Sequence, residues 1–151
     1  DFANRFLAFY LYKDKYYGYL DEFMGDTLGE INKMSQLEIE DLLNVFDQSM
    51  KVCYQLLGNT AFKRPDPKKT GGFLKINKAI FEVLSVSIAK LSISEQQSLT
   101  IKKELFRNSI HALFTQEDFI KSCTSGTAKI PQVVYRHSHV QQLIKDIISH
   151  D

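Results

Sequence analysis

The chain contains no tryptophan, three prolines, seven glycines and two cysteines in 151 residues. So little proline and glycine disfavours a sandwich of many short strands, which needs turn residues at close intervals. Cys53 and Cys123 lie seventy positions apart. That spacing suggests neither a disulfide framework nor a CxxC metal site, and a reducing cytoplasm is the simplest setting. No apolar run approaches the roughly 20 residues a spanning helix requires, so no membrane partner is expected. Hydrophobic residues make up 44% and charged residues 25%, which excludes a disordered tail and a collagen-like fibre. A chain of this length has room for one core.

What is present is helical periodicity. Phe2, Phe6, Phe9 and Tyr10 show it from the first residues, and no basic stretch followed by an apolar one marks a signal peptide. A helix that begins in mid-pattern suggests the C-terminal fragment of a longer protein. The spacing predicts helices over about 1–12 and 20–33. A long helix follows over 36–57, opened by the Ser35/Glu38 capping-box pair, striped by Ile39, Leu42, Leu43, Phe46, Met50, Cys53 and Leu57, and closed by Gly58. A central helix over 76–91 has little polar surface and should be the most buried. Ser94 with Gln97 predicts a start for a helix over 95–113. Thr115 precedes a short helix over 116–123, and Pro131 suits the first turn of a last one over 132–149. No strand pair with a hairpin turn and no fixed-period repeat appears. The expected fold is all-α: one globular array of six to seven helices, without a sheet, spanning 1–151.

Charge is segregated. Residues 1–60 carry net −5, residues 61–80 net +5 and residues 81–151 net +1. The basic stretch contains Lys63, Arg64, Lys68, Lys69, Lys75 and Lys78 in a loop with two prolines and two glycines. It can attract phosphate or an acidic partner, although no aromatic ladder accompanies it to stack bases. The same composition also describes a solvated loop.

Catalytic signatures are missing. There is no GxxxxGK[ST], no GxGxxG after a strand, no HExxH and no GxSxG. His137 and His139 are two residues apart, which on a helix points them about 200° apart, so they cannot share a metal. They read as solvent-exposed histidines beside an exposed Arg136. His111, near a helix end, reads as a structural cation. Cys53 falls on an apolar stripe and reads as core. Asp21/Glu22, Glu38/Glu40/Asp41 and Glu117/Asp118 sit near helix starts, where the macrodipole favours acids. Ser125-Gly126-Thr127 is either an ordinary turn or an anion-holding loop, with Arg136 able to complete such a site or to pair with a carboxylate. No catalytic residue, metal site or cofactor is expected in this chain. The acidic N-terminal half would meet a basic partner or, in a homodimer, the basic loop of a second copy. The dense group Phe2, Phe6, Phe9, Tyr10, Tyr12, Tyr16 and Tyr17 would form an interface if exposed, and in a fragment it is where the missing domain packs.

Several short motifs carry a resemblance. They are Arg5-Phe6-Leu7-Ala8; Tyr17-Gly18 with Leu20-Asp21-Glu22-Phe23; Ala61-Phe62-Lys63-Arg64-Pro65; Ile76-Asn77-Lys78-Ala79-Ile80-Phe81-Glu82; Asp118-Phe119-Ile120; and Ser125-Gly126-Thr127 with Val133 and Arg136. Together they span essentially the whole chain. They resemble the C-terminal helical region of the bacterial proteins whose ParB-like N-terminal domain bears a DGQQR motif, as in GmrSD-type modification-dependent restriction systems. In that family DGQQR belongs to a nucleotide-hydrolysing domain, often accompanied by an HNH nuclease domain. Neither motif occurs here. The resemblance therefore implies a non-catalytic helical module of a DNA-restriction or phage-defence protein, bracing a missing domain. It implies Arg5, Asn77, Lys78, Ser125, Gly126, Thr127 and Arg136 as polar positions for that domain, a nucleotide or DNA. The alternative is a free-standing protein–protein interaction module.

Overall fold

A computed structural model describes residues 1–150. Among them the fold is all-α, with eight α-helices and no sheet. These are α1 (Phe2–Tyr12), α2 (Leu20–Ile31), α3 (Gln36–Leu57), α4 (Lys78–Ala89), α5 (Ile93–Ile101), α6 (Lys103–Leu113), α7 (Glu117–Thr124) and α8 (Ile130–Ser149), with single 3-10 turns at Lys13–Lys15 and Gly58–Thr60. None of the described helices is long and apolar enough to cross a membrane.

The eighth helix comes from a break inside the predicted 95–113 segment. Lys102 leaves the helical region (ψ +27°) and separates α5 from α6. No glycine or proline marks the spot. Instead the Lys102 ammonium donates to the carbonyls of Ile147 and His150 at the end of α8, where orphan acceptors and the dipole favour a cation. The capping box of α5 is Ser92 with Glu95, not Ser94 with Gln97. Ser92 accepts from the Glu95 amide at 3.1 Å, and the Glu95 carboxylate accepts from the Ser92 amide at 2.8 Å. The Ser35/Glu38 box forms as expected. Gly58, at φ +57°, ends α3 in a conformation that L side chains resist. Helix α8 starts two residues early and takes Pro131 into its first turn, where the missing N–H has no acceptor to lose.

Helix α4 organises the rest. Residues 79–88 are buried without interruption, because α4 is wedged between two cores. Ala79, Ile80, Val83, Leu84 and Ile88 face a cluster shared with α3, α5, α6, α7 and α8. Phe81 and Val86 face a second cluster with Phe6, Phe9, Phe23 and Val133. Most of the aromatic group at the start of the chain is therefore core rather than interface. Phe6 and Phe9 are fully buried, Tyr10, Tyr12 and Tyr16 half-buried, and only Phe2 and Tyr17 reach well into solvent. Burying large apolar side chains on both sides of one helix is the main favourable term in a fold of this size.

The 61–77 segment is an ordered loop. Asp66 and Gly72, Leu74 and Arg64, and Asn77 and Phe62 are joined by backbone hydrogen bonds of 2.9–3.0 Å, with an isolated bridge between Pro65 and Phe73. Phe62 is the one non-glycine residue with positive φ (66°) among those described. That conformation costs about 1–2 kcal/mol. It is held by the packing of the Phe62 ring edge-on against Phe81 at 4.9 Å.

Candidate functional site: a buried ion cluster and an exposed basic loop

Glu82 is the lone carboxylate in the apolar run of α4, and it is completely buried. A charge taken out of water must be paired and hydrogen-bonded, and Glu82 is both. Arg136 meets it through Nε to Oε1 at 3.1 Å and through Nη2 to Oε1 and Oε2 at 2.8 and 3.0 Å. Arg5 donates Nε to Oε2 at 3.0 Å. His137 Nε2 lies 2.8 Å from Oε1. Arg136 Nη1 also donates to the carbonyls of Ser122 at 3.0 Å and Thr127 at 2.8 Å. Ser122 lies in the last turn of α7, where carbonyls lack helical partners. One carboxylate thus ties α1, α4 and α8 together, and one guanidinium clamps the 122–127 turn onto them.

The electrostatics follow. Burial pushes the Glu82 carboxyl up, but the His137 hydrogen bond and the two guanidiniums outweigh it and hold the carboxyl below its ordinary range. Burial pushes His137 down, and this prevails over the pull of Glu82. His137 Nδ1 is buried without a partner, so a proton there would be an unsatisfied donor. Arg136 and Lys13 also oppose a further positive charge. The ring is therefore neutral, donates Nε2–H to Glu82 and stacks on Phe9 at 5.9 Å.

Acid sensitivity follows from these two directions. A histidine whose folded pKa is depressed contributes stability that is present above its unfolded value of about 6.5 and is lost as pH falls below it. Glu82, also depressed, contributes stability present above about 4.5, which is lost as pH falls through its folded value. The melting temperature is therefore expected to begin falling below pH 6.5 and to fall further below pH 4.5. His137→Gln should flatten the first limb, while the second persists in reduced form on the two guanidiniums. Thermal melts recorded from pH 7.5 to 3.5 check this, and an unchanged first limb in the variant would refute the assignment.

Several sequence expectations are corrected here. Arg136 and His137 are not exposed, and their relative exposures are 0% and 1%. Arg136 is consumed inside the cluster, so it neither completes an anion site nor reaches nucleic acid. Arg5 is likewise an internal partner. Asn77 caps α4, accepting from the Ile80 amide at 2.9 Å and donating to the Cys123 carbonyl at 2.8 Å. The 125–127 turn serves the cluster through the Thr127 carbonyl, with Gly126 at φ +58°. Cys53 is buried, as its stripe position implied, and burial pushes its thiol up to about 12. Cys123 is buried too, and burial likewise raises its thiol above the ordinary value. Neither thiol is activated.

Glu82 and His137 were not among the expected site residues. The available signal was a single carboxylate in a helix otherwise without charge between Lys78 and Lys90. Its partners lie 77, 54 and 55 positions away, and periodicity says nothing about such pairs.

Of the basic residues, Lys78 pairs with Asp1. Lys63 and Arg64 are half-buried, and Lys68, Lys69 and Lys75 are exposed. None of these five has a carboxylate within 4 Å among the described residues. The one acid in the loop, Asp66, accepts from the Lys68 backbone amide at 2.9 Å. The loop therefore presents free cations from a hydrogen-bonded frame. No family model, no curated protein and no solved structure matches this chain.

Proposed function

We propose that the chain is a non-catalytic helical module of a DNA-restriction or phage-defence-type protein, bracing a nucleotide-hydrolysing domain and contacting nucleic acid through the 63–75 loop. The observation that carries the contact is the ordered loop itself. Lys68, Lys69 and Lys75 stand on it exposed and without carboxylate partners. Cations on a fixed frame lose little conformational freedom when phosphates replace their counterions. The resemblance of the Ile76–Glu82 and Ser125–Arg136 pieces to the DGQQR-motif proteins supports the wider role. The ion cluster supports it as well, because it makes these pieces the internal struts of a rigid body. Arg136 and Arg5 contribute to that rigidity and not to the contact surface.

The test is fluorescence anisotropy with a labelled DNA duplex across a salt series. Three phosphate contacts predict that log affinity falls with log salt at a slope of about 2.7. Lys68→Glu, Lys69→Glu and Lys75→Glu combined should abolish binding while leaving the far-ultraviolet circular dichroism unchanged. A flat salt response, or undiminished binding by the triple variant, would sink the DNA contact.

A further inference from the structure

The outer face of α3 is bare along its length. Leu43, expected on the buried stripe, is instead 52% exposed, Tyr54 is 63% exposed, Asp47 and Lys51 are exposed, and Met50 is half-buried where it packs against the second cluster. Leu43, Asp47, Met50 and Tyr54 recur at steps of four, three and four. That is the seam spacing with which one helix meets another along its length. Asp47 and Lys51 stand four residues apart, yet neither has an ionic partner within 4 Å among the described residues. The helix is also electrically polar. Glu38, Glu40, Asp41 and Asp47 fall in its first twelve residues, Lys51 follows, and the cationic segment begins six residues past its end.

We infer that this face pairs with α3 of a second copy of the chain, antiparallel about a two-fold axis near residues 48–49. Only that arrangement satisfies the seam and the charges together. Across the axis Leu43 meets Tyr54 of the other copy, and Asp47 meets Lys51, each contact occurring twice. The acidic start of each α3 then lies toward the acid-free half of the other, whose one charge is Lys51, and the two macrodipoles oppose. A parallel pair would set Asp47 beside Asp47 and acidic end beside acidic end. Two helices of this length, about 33 Å, with two Leu–Tyr layers give a modest, salt-sensitive dimer rather than an obligate one. Leu43, Asp47, Lys51 and Tyr54 lie outside the 63–75 loop, so the pairing and the DNA contact can fail separately.

Sedimentation equilibrium on the full chain at low and high salt tests the pairing. The expected result is a monomer–dimer equilibrium that weakens as salt rises. Asp47→Lys alone and Lys51→Asp alone should each weaken it about tenfold, because each turns two attractions into two repulsions. The double variant Asp47→Lys/Lys51→Asp should restore the wild-type constant, since every pair is re-formed with its signs exchanged. Leu43→Ser/Tyr54→Ser should leave a folded monomer. A chain that stays monomeric at all concentrations would overturn the inference. So would single reversals that leave the dimer unchanged, as a parallel pair predicts, or a double reversal that fails to rescue.

Discussion

Glu82→Gln is expected to lower the unfolding free energy by about 3–5 kcal/mol, the usual consequence of removing one partner from a buried ion cluster. In a domain of this size that is a drop of about 10 °C in melting temperature. The carboxylate is the one negative charge facing two guanidiniums, with side-chain exposures of 0% for itself and for Arg136 and 7% for Arg5. A neutral amide leaves two like charges in a low-dielectric interior with nothing to oppose them. The cluster as a whole need not be stabilising relative to an apolar core. Removing all of its charge, by Glu82→Leu with Arg5→Met and Arg136→Met, should recover at least half of the lost stability, because no unpaired ion remains. Recovery should be incomplete, since the carbonyls of Ser122 and Thr127 lose the Arg136 donor. Chemical denaturation with linear extrapolation measures both variants. A loss below about 1 kcal/mol for Glu82→Gln would mean that water reaches the cluster, contrary to its burial.

The contrast between single and triple replacement bears on what the cluster is for. Hydrophobic faces on α1, α4 and α8 could slide along one another, since apolar burial is not directional. The four-group contact has one geometry. It sets the register of three helices and the position of the 122–127 turn. Under the proposed bracing role, such fixing would matter more than an extra increment of stability. Amide exchange at residues 122–128 is accordingly expected to quicken in the triple variant even where its global stability recovers.

The helices were legible because their information is local. Helix α3 reads from its stripe, its Ser35/Glu38 box and Gly58, and it forms with those bounds. Helix α4 reads from its apolar run, and that run is buried on all sides. The break at Lys102 was not legible, because it depends on an ammonium reaching the end of a helix 45 residues away. The ion cluster was illegible for the same reason. Arg136 and His137 are neighbours on α8 with polar side chains, which by composition alone belong to a solvated face. They are buried because Glu82 lies opposite them. The basic loop was legible as charge and as a loop, but its order depends on backbone pairings such as Leu74 with Arg64 and on Phe62 packing against α4.

The aromatic start of the chain carries the second large effect. Phe9 is fully buried and packs against Tyr16 at 5.2 Å, Phe23 at 5.3 Å and the His137 ring at 5.9 Å. Phe9→Ala removes a whole ring from a close-packed site and is expected to cost about 3–5 kcal/mol. Phe2→Ala, at a position 39% exposed against Phe81, should cost much less, which separates core from surface within one helix. Phe9→Ala should also have an electrostatic consequence that a purely apolar residue elsewhere in the core would not. The ring shields one face of His137, and burial is the main cause of that histidine's depressed pKa. Opening the site to water relieves the desolvation, so the pKa of His137 should move back up toward its ordinary value. The stability lost between pH 6.5 and 5 should then shrink in Phe9→Ala, even though the variant is less stable at every pH. Nuclear magnetic resonance titration of the His137 ring protons checks the shift directly. A destabilised variant with an unmoved His137 would show that α4 and α8, rather than α1, keep water from the cluster.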